Sequence, residues 1–425
     1  MPRNYDPALH PFEIQREYTR ALNAVKLERV FAKPFVGALD GHGDIVSCLG
    51  KHPNQIAWLF SGDADGTVKQ WNIAMKKCVR TLKAHSGYVR GISFTPDGET
   101  MISVGDDKNI HFWDTCLPTS LEVGVKESAK FSIPTKYNLA SVSSHAKTKM
   151  FATCGDSCLL WEGERRLPVQ EFEWGVDSLN CVRFNQSQVD VLAACASDRS
   201  IMLYDIRGKS PIRKVVLSLK SNALCWNPQE PFVFAVANED YNSYAFDMRR
   251  LKHPLNIYKD HVDAVIDLDF SPTGKELVTG SWDKTVRLFE VDKGHSREVY
   301  HTKRMQRLTS VMWTLDNKYI LTGSDEMNIR IWKAKAWEKL GVLKTREREA
   351  LSYNEALKDK FASFPQVKRI MRHRHVPKHV YQAKKELRII KDSKSRKEGN
   401  RRAHSKPGTV PTVPEREKNI VAEME

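Results

Sequence analysis

The sequence predicts an all-β fold made of seven repeats of one four-stranded unit, with a helical extension before it and a basic, mainly helical tail after it. Three observations predict it. A short signature ending in an aromatic residue, often followed by an acid, recurs along the 425-residue chain. Its aromatic stands at positions 71, 113, 161, 204, 246, 289 and 332, spaced 42, 48, 43, 42, 43 and 43 residues apart. Within a unit, runs such as Gly91-Ile-Ser-Phe94, Met101-Ile-Ser-Val104 and Asn109-Ile-His-Phe-Trp113 alternate as strands do, and Thr95-Pro-Asp-Gly98 or Ser271-Pro-Thr-Gly274 between them is hairpin-turn chemistry. Charge is also segregated: residues 344–425 carry 22 Lys+Arg against 11 Asp+Glu, net +11 of the total +15, and residues 366–406 carry 15 against 3.

Taken in chain order, residues 1–10 lack a cationic stretch followed by an apolar one, so no secretory signal is expected. Mean hydropathy is −0.49 and no apolar run approaches about 18 residues, so a soluble, intracellular chain with no membrane contact is expected. Residues 13–31 read as an amphipathic helix with Ile14, Tyr18, Ala21, Leu22, Val25 and Val30 on one stripe. That stripe suits either packing on the rim of the repeat domain or presentation to a partner. The eight cysteines form no C-x-x-C pair and read as reduced core thiols. After Trp332 the pattern turns helical through residues 346–361, and Pro365 permits a new helix start. Residues 364–381 alternate apolar anchors with cations, which suits a segment that threads along RNA and folds there.

The repeats, from Ser61-Gly-Asp-Ala-Asp65-Gly-Thr-Val-Lys-Gln-Trp71 to Gly323-Ser-Asp-Glu326-Met-Asn-Ile-Arg-Ile-Trp332, resemble the WD-repeat family. That resemblance implies a seven-bladed WD-repeat β-propeller, closed by a strand from before the first repeat, for which residues 30–39 are the candidate. The expected division is an extension over residues 1–35, the propeller over 36–340 and the tail over 341–425. His42, His85 and His261 precede Asp65, Asp107 and Asp283 by 23, 22 and 22 residues. In the family such groups hydrogen-bond within a blade, and a pair that recurs in several blades is architecture, not an active site. Asp198 and Asp240 take the same place in blades four and five, which lack the His. Blade three is one residue short before Trp161, and blade seven has Glu326 where Asp is usual.

No phosphate-binding loop, nucleophile elbow or zinc-binding H-E-x-x-H helix occurs, so no enzyme activity, cofactor, metal or small-molecule substrate is expected. His373 and His375 have ligand-like spacing but stand among cations that would oppose a divalent ion. Two repeat ends, Tyr204-Asp-Ile-Arg207 and Phe246-Asp-Met-Arg249, are similar to the W-D-x-R box of WD-repeat substrate receptors of cullin-RING ubiquitin ligases. That likeness implies adaptor docking through Asp205, Arg207, Asp247 and Arg249. The plain alternative is that each Arg pairs with its neighbouring Asp.

The block from Trp337 through Thr345-Arg-Glu-Arg, the run Arg369-Ile-Met-Arg-His-Arg-His-Val-Pro377, the segments Met1-Pro-Arg-Asn and His10-Pro-Phe-Glu, and Phe31-Ala-Lys-Pro-Phe-Val36 resemble the Sof-type WD-repeat proteins. These are components of the small-subunit processome, which assembles on pre-ribosomal RNA with a box C/D small nucleolar RNP. The resemblance implies a nuclear, nucleolar scaffold required for small-subunit (18S) rRNA processing, binding processome proteins through the propeller and RNA through the tail. Lys368, Arg369, Arg372, His373, Arg374, His375, Lys378, Lys384 and Lys385 are the candidate phosphate contacts. A substrate receptor for a cullin-RING ligase is the alternative reading. A generic signalling propeller leaves the basic tail unexplained.

Overall fold

The computed structural model describes residues 12–115, 128–173, 177–208 and 210–424, so the sequence readings on residues 1–11 and on Cys116 lie outside it. The chain divides into two compact units, one of residues 1–36 with 332–375 and a larger one of residues 37–331 with 376–425.

The larger unit is the propeller. Its inner strands, Val46–Lys51, Val89–Phe94, Ser141–Ser144, Leu179–Phe184, Ser221–Trp226, Val265–Phe270 and Leu308–Trp313, neighbour one another in that order, and the last meets the first. Each is followed by antiparallel strands to make a blade. The period has a packing cause: all seven signature aromatics sit on the third strand of their blade and are at most 3% exposed, filling the gap between sheets. A β-bulge recurs near the start of the inner strand in six blades, as between Val89 and Gly91 or Leu308 and Ser310, and adds the local twist that a closed ring needs. Blade three has an unshifted register there.

Two blades borrow a strand from elsewhere in the chain. Blade seven is completed by Phe35–Asp40, the strand before the first repeat, laid against Asn328–Lys333. It starts five residues later than the candidate stretch and fills the same role. Blade four gains a fifth strand, Ile420–Met424, antiparallel to Pro211–Leu217 with Val215 opposite Glu423 and Val216 opposite Ala422. Ile420 packs against the core shared by blades four and five. The charge pattern had suggested a tail that stays off the blades; its last residues are part of one.

Between these points helix α4 (Lys378–Ala403) is tied to the propeller. Val380 is buried, His379 Nε2 lies 3.2 Å from the carbonyl of Asp283, and Lys384 Nζ lies 2.6 Å from Asp260. Glu415 binds Lys259 and Lys391, each at 2.8 Å, and the two ammonium groups hold its carboxyl down to about 2. Of the seven described cysteines, all unpaired, Cys78 is exposed and so is no core thiol.

The smaller unit is a three-helix cluster. Helix α1 (Glu13–Val30) buries Ala21 and Val25 against Leu357 and Phe361, at the end of α2 (Thr345–Lys360), and Val367 of α3 (Pro365–Arg372). Tyr18, Phe361 and Phe364 pack edge-on or tilted, with centroids 5.3 to 5.9 Å apart. Lys358 to Glu28 at 2.9 Å and Lys360 to Glu17 at 2.6 Å close the sides. The buried stripe is thus narrower than its sequence suggests, since Ile14 and Val30 are exposed, and the helices that cover it come from more than 300 residues downstream.

Deleting residues 1–40 removes the strand on the outer edge of blade seven, and each backbone group left buried and unpaired costs about 1–3 kcal/mol. The deletion variant should lose the cooperative melting transition of the full chain. An unchanged transition by calorimetry would contradict closure by this strand.

Candidate functional site

The polar networks that recur within the blades are architecture. In blade one His42 Nδ1 lies 2.9 Å from Asp63 Oδ2 and Nε2 lies 2.6 Å from Ser61 Oγ, which also accepts from Trp71 Nε1 at 2.7 Å. A carboxylate can only accept, so Nδ1 carries the proton and the chain runs Trp71 to Ser61 to His42 to Asp63. The sequence had assigned this role to Asp65, which is instead exposed in the turn. Asp63 ends its strand two residues earlier, points inward, and also accepts from Thr67 N at 2.7 Å. Burial pushes its carboxyl up, and the bonds from His42 and Thr67 outweigh that and hold it below the usual range.

Blade two repeats the network with His85 to Asp107 at 2.8 Å, His85 to Ser103 at 2.9 Å and Trp113 to Ser103 at 3.0 Å. Blade six places His261 at 2.8 Å from Asp283 and 2.7 Å from Thr279. Burial pushes both imidazoles down, while at Asp283 burial pushes up and the pairing with His261, the charge of Arg287 and the bond from Thr285 outweigh it and hold its carboxyl at about 2. In blade four Asp198 accepts from Ser200 N at 2.9 Å and from Lys214 at 3.0 Å. In blade five Asp240 is bonded to the hydroxyl of Tyr244 and to Asn419 Nδ2 at 3.1 Å. His85, Asp107 and His111 form the one cluster among the described residues with metal-like spacing. Both nitrogens of His85 are already bonded to protein, so the cluster belongs to the blade.

The two D-x-R boxes share one local geometry. Arg207 Nε and Nη2 meet the Asp205 carboxylate at 3.1 and 2.9 Å, and Arg249 meets Asp247 at 3.2 and 3.0 Å. Each Asp also accepts the backbone N–H of its Arg at 2.9 Å. The bond from Arg207 lowers Asp205; at Asp247 burial pushes up and the Arg249 bonds outweigh it. Both arginines are exposed, so these pairs add little stability; they fix two planar guanidinium groups on consecutive blades. The Arg249 guanidinium also lies 4.1 Å from the Phe232 ring centroid. Beside it an open cleft of about 560 Å³ is lined by Arg249, Arg250, His253 and Arg416.

The tail cations divide between the units. Lys368, Arg369 and Arg372 lie on α3, His373, Arg374 and His375 follow it, and Lys378, Lys384 and Lys385 lie on α4. Lys368, Arg369, Arg372, Lys378 and Lys385 are exposed and make no ion pair among the described residues. Lys384 is a strut to Asp260, and Arg374 turns back on its own chain, donating to the carbonyls of Met371 and His373. Both side chains are thus already engaged within the chain. Asp260 itself escaped sequence reasoning, since it lies outside the repeated signature.

Comparison with known proteins accords with this layout. Residues 334–420 match a Sof1-like domain, and residues 33–72, 76–114, 252–290 and 293–333 match WD domain, G-beta repeats. Protein SOF1 of Saccharomyces cerevisiae is 45% identical over 441 residues, covering 99% of this chain and 90% of that protein. The chain belongs to the Sof1-like WD-repeat family. Two further relatives are each called DDB1- and CUL4-associated factor 13. The one of Homo sapiens is 53% identical over 422 residues, with 99% of this chain and 94% of that protein covered. The one of Xenopus laevis is 52% identical over 425 residues, with 100% and 95% covered. The Sof1-like segment contains α2, α3 and α4 and every tail cation named above, and ends at the first residue of the added strand. Blades three and four and the first three strands of blade five fall outside the matched repeats, yet their sheets form.

Replacing Asp63 by Asn leaves His42 without its ionised acceptor and should lower stability by about 1–3 kcal/mol in denaturant unfolding. Asp65→Asn, at an exposed turn position, should fall within about 0.5 kcal/mol of wild type. The reverse order of costs would restore Asp65 to the network.

Proposed function

We propose that this protein is a non-enzymatic, nucleolar scaffold of the small-subunit processome, required for small-subunit (18S) rRNA processing. The propeller binds processome proteins. The tail binds pre-ribosomal RNA or the box C/D small nucleolar RNP through phosphates. The observation that carries the reading is the set of exposed, unpaired cations Lys368, Arg369, Arg372, Lys378 and Lys385 inside the Sof1-like segment, in a chain similar along its whole length to Protein SOF1. Cations without acidic partners are the ones that release counterions from a polyanion, giving affinity and register without base readout.

Replacing Lys368, Arg369 and Arg372 together by Glu tests the phosphate contacts and leaves α4 and the added strand in place. RNA affinity should fall strongly, and the log-log salt slope should shrink by roughly 2 to 3, at 0.7 to 0.9 per lost phosphate contact. Equal affinities and slopes across a salt titration would make the tail a protein-docking segment.

A second reading has its own support. The bidentate, exposed Arg207 and Arg249 stand on consecutive blades, and relatives over half identical carry names that associate them with DDB1 and CUL4. Docking of this chain on a cullin-RING adaptor would use those two guanidinium groups at a protein interface. Arg207→Ala combined with Arg249→Ala should abolish recovery of DDB1 while RNA affinity stays unchanged. Recovery at the wild-type level would remove the docking assignment.

A further inference from the structure

Among the described residues, three aromatic rings of the propeller unit are capped by an arginine. Arg90 lies 4.9 Å from the Tyr88 centroid, Arg249 lies 4.1 Å from Phe232, and Arg307 lies 5.2 Å from Trp282. The first two cations are already spent. Asp106 grips Arg90 at 2.8 and 2.9 Å, and Asp247 grips Arg249. Arg307 is exposed and makes no ion pair among the described residues. Its ring is also unusual: Trp71, Trp313 and Trp332 are at most 1% exposed, whereas Trp282 is 42% exposed.

The turn bearing Trp282 is held rigid from several sides. Trp282 N donates to the carbonyl of Ala264 at 3.1 Å, Asp283 is locked to His261, and the Asp283 carbonyl lies 3.2 Å from His379 Nε2 at the start of α4. At the turn position where blade one has Gly66 and other blades have Lys108, Arg199, Tyr241 and Met327, all at positive φ, Lys284 takes a φ of +64°. Its Nζ reaches Gln306 at 2.8 Å, next to Arg307. Beside His379, Lys378 is exposed and unpaired among the described residues.

We infer that Trp282, with Arg307 at its ring, Lys284 on the same turn and Lys378 next to the His379 that contacts that turn, is a base-stacking site for single-stranded RNA on the propeller itself. The inference rests on the RNA-binding reading of the tail and extends it onto the ring. An exposed aromatic on a fixed backbone stacks any base at little ordering cost, and unpaired cations beside it take the flanking phosphates. An acidic protein segment would meet the same cations, but it has no general use for a flat ring open to solvent. A nucleotide offers both a plane and a phosphate.

The test uses the full chain and a fluorescent twelve-nucleotide oligouridine across a salt titration. Trp282→Ala should bind about tenfold more weakly with an unchanged salt slope, because stacking releases no counterions. Trp282→Phe, which keeps a ring and guards against a folding defect, should bind within about threefold of wild type. Wild-type affinity in Trp282→Ala while the tail variant Lys368, Arg369, Arg372→Glu loses binding would overturn this site and leave the tail reading intact. The opposite pattern would keep the site and remove the tail reading. Unchanged RNA affinity with loss of a processome protein from Trp282→Ala would reassign the ring to a protein interface and overturn the inference.

Discussion

The propeller depends on giving every sheet two packed faces, and the point where that requirement is hardest to meet is the junction of the last blade with the first. A blade of four short strands buries too little apolar surface alone, so each inner strand must lie against the next blade. The contact is close enough to exclude side chains. A Cβ on Gly62 would sit 2.7 Å from Val89 and one on Gly280 would sit 2.3 Å from Val311. At the closing junction a Cβ on Gly323 would sit 3.0 Å from Val46, so blade seven meets blade one through the same kind of glycine contact by which blade one meets blade two and blade six meets blade seven. The strand Phe35–Asp40 then fills the outer edge of blade seven and ties the first strand of the chain to the last repeat.

Within that frame the polar networks divide the blades into two kinds. Blades one, two and six anchor the turn between their second and third strands through a hydrogen-bonded His–Asp pair, and every polar atom named in those chains is satisfied. Blade five has no such His, and burial pushes its Asp240 up despite the bond from Tyr244. The partner comes from the end of the chain: Asn419 Nδ2 bonds Asp240, and its carbonyl accepts from Ser218 N at 2.9 Å. Ile420–Met424 follows directly onto blade four. The segment that looked like a detached basic arm thus completes a blade that lacks the usual polar pair.

These facts show what the sequence could disclose. The period of the buried aromatics is a local signal repeated seven times, so blade number, ring closure by an early strand and the helical flanks were all legible. The choice between Asp63 and Asp65 was not. Both lie in one Gly-Asp-Ala-Asp run on the same side of an extended chain, and only the bend at the strand end decides which carboxylate turns inward. Ile420–Met424 was equally hidden, because a five-residue strand pairs with residues some 200 positions away and carries no pattern of its own. The partner of α1 was missed for the same reason: amphipathicity says that a face is buried, not by what.

The pairing state of each surface cation sorts the candidate sites by chemistry. Arg207 and Arg249 are held bidentate by acids two residues away, so their charge is neutralised locally and their geometry is fixed; such groups recognise a shaped protein surface better than a flexible polyanion. Lys384 and Lys391 are committed to Asp260 and Glu415 and hold α4 in place. Lys368, Arg369, Arg372, Lys378 and Lys385 have no such partner among the described residues, and Arg307 differs from the other ring-capping arginines in the same way. Total charge does not separate these groups, because all of them count equally toward the net +15. Only the structure shows which positive charges are already answered within the chain; these five unanswered ones lie within the Sof1-like segment, and Arg307 lies beside Trp282, the one exposed tryptophan among the described residues.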